Sequence, residues 1–218
     1  MPLSRDLAHD AQLVALAAAG GAMDAVAYLR LHLFTANMTG NAVVSGLALG
    51  GTHPPQAWNA VGAIASFVVG VAAGTAVRDA RTILFVEAVV LVAFTLLWQF
   101  GGLAHAPVVA ALVGTGALAM GMQTAATRSA HGSGASTTYM SGTLARATSA
   151  AVEALRDATR ASIALFSGLT FLVYFVAAIV VGALAARDAH VLAVVPLTAL
   201  VIVLLVACAP RRYLEEKS

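Results

Sequence analysis

Residues 34–41 read FTANMTGN, a polar stretch that separates two apolar runs of the chain. The run before it extends from 11 to 29, and the run after it extends from 42 to 50. Two threonines, two asparagines and a glycine are costly within a bilayer unless their polar groups have partners. A second copy follows at 136–143, which reads STTYMSGT. We predict that the two stretches form a paired functional core and that the other helices are its scaffold.

The composition predicts the class of protein in which these stretches lie. Of the 218 residues, 60% are hydrophobic and only 10% are charged, whereas soluble domains carry about 25% charged residues. The chain is therefore expected to be an all-α, polytopic transmembrane bundle in contact with a lipid bilayer. With a net charge of +2 and scattered basic residues, nucleic acid is not an expected partner.

Apolar runs of about 20 residues are long enough to cross a bilayer as helices. Six such runs lie near 11–31, 57–77, 82–103, 107–127, 161–186 and 190–209. Two further segments, 35–50 and 136–156, are too short or too polar to form complete spans. The sequence thus predicts six spans with two broken or re-entrant segments.

The placement of the basic residues distinguishes six spans from eight. With six spans and both termini in the cytoplasm, ten arginines and lysines lie inside, and only Arg30 and Arg187 lie outside. With eight spans the balance is six inside to five outside, and Arg146 lies within the membrane. The positive-inside rule therefore favours a six-span protein of the cytoplasmic (inner) membrane with cytoplasmic termini.

The chain reads as a single membrane domain, 1–218, with an internal repeat of halves 11–103 and 107–209. Met38-Thr39-Gly40 aligns with Met140-Ser141-Gly142, and the pair Arg78-Asp79 aligns with Arg187-Asp188. Because each half has an odd number of spans, the halves are expected to insert in opposite orientations as an inverted repeat. The Arg-Asp pairs have a second interpretation, that they simply mark helix ends at the membrane interface.

Four segments resemble a known family. They read GAMDA at 21–25, TANMTGN at 35–41, GMQ at 121–123 and TTYMSGT at 137–143. These segments, in this order, are similar to the YoaK-type bacterial inner-membrane proteins, whose function is unknown. The resemblance covers nearly the whole chain and implies a compact six-span membrane protein, but it implies no substrate or activity.

The two polar stretches predict a binding site near the middle of the membrane. Thr39 or Asn41 could cap a short helix after the first stretch, and Thr138, Ser141 or Thr143 could do so after the second. Two helix N-termini would then present free N–H groups to a solute. The alternative is tight helix packing through small residues. The candidate substrate-binding residues are Asp24, Asn37, Thr39, Asn41, Gln123, Thr138, Ser141 and Thr143.

Asp24 is the sharpest single candidate, because it lies well inside the first predicted span. It could carry a proton, bind a cation or pair with Arg30; alternatively it lies shallower and meets water. Gln123 corresponds to Asp24 in the repeat and could share its cavity or form a plain interhelical hydrogen bond. Glu87 is expected to snorkel to the interface or to pair with Arg81 or Arg78.

Two further arginines, Arg128 and Arg146, are expected to face cytoplasmic water or lipid phosphates. Alternatively, Arg146 fixes an anionic substrate beside the second stretch. The six histidines show no metal-ligand spacing, and neither a catalytic constellation nor a cofactor motif is present. We therefore expect neither an enzyme nor a metal or cofactor site.

Three functions are compatible with these sequence features. The first is a small secondary transporter or permease for a small polar solute or ion, with its site between the two stretches. The second is a passive channel lined by the same elements, which could assemble as a homodimer. The third is a non-transporting membrane component that binds lipid or a partner protein.

Overall fold

A computed structural model describes the chain in six segments, and the described part is all-α. The described residues are 3–51, 54–77, 79–102, 104–131, 139–188 and 190–209. The α-helices are α1 Leu3–Leu31, α2 Met38–Gly50, α3 Pro54–Ala76, α4 Ala80–Phe100, α5 Ala106–His131, α6 Met140–Ala154, α7 Ala161–Arg187 and α8 Val191–Cys208. A 3₁₀ turn, Ala158–Arg160, precedes α7.

Six helices in the described residues are long and apolar enough to cross a bilayer. Their candidate spans are Asp10–Leu31, Gln56–Ala76, Ala80–Phe100, Ala106–Arg128, Ala158–Arg187 and Val191–Cys208. This confirms the predicted polytopic helical bundle with six candidate spans. The remaining helices, α2 with 13 residues and α6 with 15, are the two segments that were predicted to be incomplete.

Left-handed residues and a side-chain cap determine where α1 ends and where α4 begins and ends. The first helix stops at Leu31 because His32 takes a left-handed conformation with φ of 53°. In α4, Asp79 caps the N-terminus by accepting from the backbone N–H of Thr82 at 2.9 Å. The same helix ends at Phe100, before Gly102 with φ of 73°, so its C-terminus lies three residues before the predicted end at 103.

Glycines allow the central helices to approach one another closely. A Cβ at Gly21 of α1 would lie 2.2 Å from the carbonyl oxygen of Tyr174 in α7. Where α3 and α5 cross, a Cβ at Gly70 would lie 2.2 Å from the carbonyl oxygen of Leu118. Small residues at these crossings bring backbones into van der Waals contact, which is one source of helix association in lipid.

The helices of the two halves pack in matching pairs. Helix α3 packs on α5 as α7 packs on α1, and α2 lies along α3 as α6 lies along α7. Helix α4 contacts α5 as α8 contacts α1, and α4 and α8 also contact each other. The first spans of the two halves, α1 and α5, are the most buried of the six, so they form the centre of the bundle.

The outer surface of the bundle is apolar and contacts the lipid bilayer. Helix α7 is the least buried of the six spans, and its Leu165 side chain is 75% exposed. Further large apolar side chains, including Leu169, Leu172 and Ile179, are exposed on the same helix. Such an apolar surface is stable in hydrocarbon and would be an aggregation hazard in water.

Glu87 corrects one expectation from the sequence. Its side chain is fully buried, and neither carboxyl oxygen has a hydrogen-bond partner in the described part of the chain. The guanidinium of Arg81 lies instead over the ring of Phe85, 5.8 Å from its centroid, and Arg78 lies outside the described residues. Glu87 therefore neither snorkels nor pairs with Arg81, because its position on α4 points it into the helix bundle.

The close approach of α3 to α5 predicts a strong effect of one methyl group. Gly70→Ala should lower the free energy of unfolding by about 1–3 kcal/mol, because the new Cβ collides with backbone that cannot move aside. Thermal unfolding of the purified protein in detergent measures this effect.

The matched control is Gly62→Ala on the same helix, where an added Cβ meets nothing within 4 Å. This variant should be as stable as the original chain or slightly more stable, because alanine is the better helix former. Equal stability of both variants would contradict the close helix crossing.

The buried Glu87 side chain predicts a stabilising substitution. Glu87→Met replaces two unpartnered oxygens with an apolar chain of similar length, and should raise the free energy of unfolding by about 1–3 kcal/mol. Glu87→Gln, which keeps a buried polar group, should gain less. Chemical unfolding in mixed micelles compares the three proteins, and a large loss of stability in Glu87→Met would show that the carboxyl group has a partner.

Candidate functional site

The first polar stretch is held against α1 by the carboxylate of Asp24. The Oδ1 atom accepts from the backbone N–H of Thr35 at 2.8 Å, from its hydroxyl at 3.1 Å and from the N–H of Ala36 at 2.7 Å. The Oδ2 atom accepts from the N–H of Asn37 at 3.1 Å and from the phenol of Tyr174 at 2.5 Å. One side chain therefore joins α1, residues 35–37 and α7.

The position of Asp24 shows that the chain turns back after α1. Asp24 lies seven residues before the end of the helix at Leu31, which is about 10 Å along the helix axis at 1.5 Å per residue. Residues 35–37 reach back to this level, and their non-helical N–H groups find acceptors there. Backbone at such a depth is tolerated only when its polar groups are satisfied within the protein.

Two of the alternatives that the sequence left open for Asp24 are wrong. Its side chain is only 3% exposed, so it does not meet water at the membrane surface. It also forms no ion pair with Arg30, which is exposed at the end of α1. The five hydrogen bonds use the acceptor capacity of both oxygens, since a carboxylate offers about four lone-pair sites.

Asn41 closes the first stretch into a compact turn. Its Nδ2 donates to the carbonyl oxygen of Phe34 at 2.7 Å, and its Oδ1 accepts from the N–H of Phe34 at 2.9 Å. The cap of α2 is Asn37, whose Oδ1 accepts from the N–H of Gly40 at 3.1 Å. The prediction that Thr39 or Asn41 caps this helix is wrong, because α2 begins at Met38 and both residues lie inside its first turn.

The described part of the second stretch, residues 139–143, lies at the start of α6 and provides no side-chain cap. Its N-cap residue is Tyr139, whose side chain makes no capping hydrogen bond. Ser141 and Thr143 lie inside the first turn, and the Thr143 hydroxyl donates to the carbonyl oxygen of Tyr139 at 3.1 Å. The prediction that Ser141 or Thr143 caps α6 is wrong, because the helix begins at Met140, before both residues. The third predicted cap, Thr138, lies outside the described residues.

Both stretches need a glycine because an aromatic ring lies over the first turn. A Cβ at Gly40 would lie 2.7 Å from the ring of Phe34, and a Cβ at Gly142 would lie 2.1 Å from the ring of Tyr139. The glycines that align in the two copies therefore have the same packing role. Because neither glycine has a side chain, the aromatic ring can pack directly against the first turn of α2 and of α6.

A cavity of about 520 Å³ lies between the two stretches. The first stretch contributes Asn37, Met38 and Thr39, and the second contributes Tyr139, Met140 and Ser141. The remaining lining residues are Ala36, Phe67, Val68, Val71, Ala72, Thr124, Arg128 and Tyr174. Pockets of 300–1,000 Å³ with apolar walls and a few polar groups are typical of small-molecule sites.

The predicted site residues divide into two groups around this cavity. Asn37, Thr39 and Ser141 line it, whereas Asp24 lies behind the wall, bonded to Asn37 and Tyr174. Asn41 and Thr143 form hydrogen bonds with backbone atoms of their own stretches. Gln123 is fully buried, and its Nε2 donates to the carbonyl oxygen of Leu16 at 3.1 Å. The structure thus places Gln123 between α5 and α1, away from Asp24.

Several lining residues were not predicted from the sequence. Arg128 was expected to face cytoplasmic water or lipid phosphates. It is exposed, and it also lines the cavity together with Tyr174. Helix α3 contributes Phe67, Val68 and Val71 to the cavity wall. No feature of the sequence identified these three residues as part of a site. Tyr174 is the one phenol within the apolar run of α7, and this isolated polar group is the feature that could have identified it.

Comparison with known proteins places the chain among membrane proteins of unknown function. The model of a family described as protein of unknown function (DUF1275) matches residues 12–208. The UPF0700 transmembrane protein YoaK of Bacillus subtilis (strain 168) is 34% identical over 136 residues, which are 57% of this chain and 59% of that protein. No solved structure matches the chain.

The hydrogen bonds of Asp24 predict a graded loss of stability. Asp24→Asn places an amide N–H₂ against backbone donors and should cost at least about 3 kcal/mol, because several buried N–H groups lose their acceptor. Tyr174→Phe removes a single bond and should cost about 1–2 kcal/mol. Thermal unfolding in detergent provides the comparison.

The matched control is Asp157→Asn, which alters an exposed carboxylate that accepts from Thr159 at the start of the 3₁₀ turn. This substitution should change stability little. If Asp24→Asn were as stable as Asp157→Asn, Asp24 would not be the residue that holds the first stretch in place.

Proposed function

The chain belongs to the DUF1275 family, whose function is unknown, and we propose that it is a small secondary transporter. It acts as a permease of the cytoplasmic membrane and carries a small polar solute or ion. The solute binds in the cavity between the two polar stretches. The observation that carries this proposal is that one cavity is lined by the N-terminal turns of both short helices.

The matching helix contacts support an inverted repeat, which is a common basis of alternating access. The pairs α3–α5 and α7–α1 correspond under exchange of the halves, as do α2–α3 and α6–α7. Each half contributes one short helix that begins at the cavity. In the proposed cycle, rocking of one half against the other opens the same cavity to each side of the membrane in turn.

The proposed topology places the cavity near the middle of the membrane, with an extension toward the cytoplasmic side. With both termini in the cytoplasm, α5 runs inward and ends its span at Arg128. Tyr174 lies near the middle of the last span but one, Ala158–Arg187. Because both residues line the cavity, it extends from the level of Tyr174 toward the cytoplasmic end of α5. The first short helix then enters from the outside, and the second enters from the cytoplasm.

Asp24 acts in this proposal through the wall of the site. Its oxygens already accept five hydrogen bonds, so it does not need to contact the solute to affect transport. A proton on either oxygen converts an acceptor into a donor and weakens the hold on residues 35–37 or on Tyr174. Coupling to a proton would thus operate by loosening the first stretch from α1 and α7.

Reconstitution tests the proposal directly. The full chain in phospholipid liposomes should take up at least one of four labelled probes, lactate, alanine, glucose or methylammonium, with saturable kinetics. Ser141→Trp should abolish that uptake, because an indole on the first turn of α6 fills the cavity. The matched control is Thr148→Trp, an exposed position two turns further along the same helix, which should transport normally.

The kinetics separate the competing functions. Fast, non-saturating flux that Ser141→Trp blocks indicates a channel through the same cavity. Flux of no probe indicates a non-transporting membrane component and contradicts the proposal. Flux that Ser141→Trp leaves intact while the protein remains folded moves the solute path away from this cavity.

A further inference from the structure

We infer that the solute is a small organic anion and that Arg128 is the residue that selects its charge. This inference rests on the proposed function, since it concerns the same cavity. Arg128 is the one residue with a full side-chain charge among the described residues that line the cavity. Its guanidinium forms no ion pair within the described residues, where a pair joins Arg160 to Glu153. Arg128 is exposed, so its guanidinium is accessible to a solute that enters the cavity. A permanently charged guanidinium in that position attracts an anion.

Three other polar side chains on the wall, those of Asn37, Thr39 and Ser141, have donors available to a ligand. Asn37 uses its Oδ1 to accept from the N–H of Gly40, so its amide N–H₂ is what remains for a ligand. The hydroxyls of Thr39 and Ser141 have no partner among the described residues and can each donate. A ligand rich in acceptor atoms, such as a carboxylate, satisfies all three of these groups.

A cation is disfavoured because no acceptor of full charge among the described residues is open to the cavity. The carboxylate of Asp24, which lies behind the wall, already accepts five hydrogen bonds from protein groups. A cationic ligand would have to displace the Tyr174 phenol or the Asn37 N–H to reach it. An anion meets Arg128 without breaking any of these hydrogen bonds.

The apolar walls indicate that the anion carries a carbon skeleton. Phe67, Val68 and Val71 of α3 line the cavity together with Met38 and Met140. These side chains offer no strong hydrogen-bonding group to a ligand, so part of the 520 Å³ cavity has an apolar lining. A small inorganic anion would not fill that apolar part of the cavity. A carboxylate with a small hydrocarbon body places its charge at Arg128 and its carbon atoms against α3.

Ligand protection of the purified full chain tests the inference. The probes are three carboxylates of increasing size, acetate, isobutyrate and benzoate, each compared with its neutral amide at constant ionic strength. Benzylammonium serves as the cationic probe, and chloride and phosphate serve as the inorganic anions. At least one carboxylate should raise the unfolding temperature in a concentration-dependent manner, whereas its amide, benzylammonium and the inorganic anions should not.

Variants assign the effect to the cavity. Arg128→Gln should weaken carboxylate protection by about 10- to 100-fold, since a charge-assisted hydrogen bond is worth about 1.5–3 kcal/mol. The control Arg146→Gln removes an equivalent charge from an exposed position on α6 outside the cavity and should bind normally. Asn37→Asp keeps the helix cap and places a negative charge in the cavity, so it should also abolish protection.

Three outcomes overturn the inference. They are protection by no carboxylate, equal protection by a carboxylate and its amide, and an Arg128→Gln variant that binds as well as Arg146→Gln. The failure of the transporter proposal is a different result: carboxylates protect the protein through Arg128, but no probe moves across liposomes. Conversely, saturable methylammonium uptake that persists in Arg128→Gln would support the transporter proposal and contradict the inference that the solute is an organic anion.

Discussion

The fold depends on a buried carboxylate that accepts hydrogen bonds from non-helical backbone. A chain that leaves the helix inside a bilayer exposes N–H groups that neither water nor lipid satisfies. Asp24 provides the acceptors for residues 35–37 and adds the phenol of Tyr174, so that α1, α2 and α7 meet at one point. A charged residue that is costly in lipid is thereby used to stabilise an irregular segment, which in turn forms one wall of the cavity.

The two halves share an arrangement of helices but differ in how their polar stretches are held. In the first half, Asp24 and Asn41 satisfy the backbone of the stretch from both sides. In the second half, Gln123, which the sequence alignment of the halves matches with Asp24, donates to the carbonyl oxygen of Leu16 in α1. The carboxylate and the guanidinium of the proposed site therefore come from different halves.

Close glycine contacts and buried polar bonds complement each other in this bundle. Gly21 brings the backbone of α1 against Tyr174, and the same tyrosine reaches Asp24 one turn further along α1. A larger residue at Gly21 would separate α1 from α7 and lengthen that hydrogen bond. Packing in lipid and the geometry of the polar site are therefore linked through one pair of helices, while the exposed apolar face of α7 remains in contact with the bilayer.

The membrane class, the six spans and the two incomplete segments follow from the chain itself, because hydrophobic length and polar interruptions are local properties. The similarity of FTANMTGN to STTYMSGT was likewise visible in the sequence, as was Asp24 as an unusual residue within a span. The partners of these residues were not visible. Asp24 meets residues 35–37 and Tyr174, Glu87 turns into the core, and Arg128 lines the cavity, since each depends on which helix faces lie against each other. Helix rotation and crossing in lipid depend on contacts between segments far apart in the chain, such as Gly21 with Tyr174, and only the packed bundle establishes them.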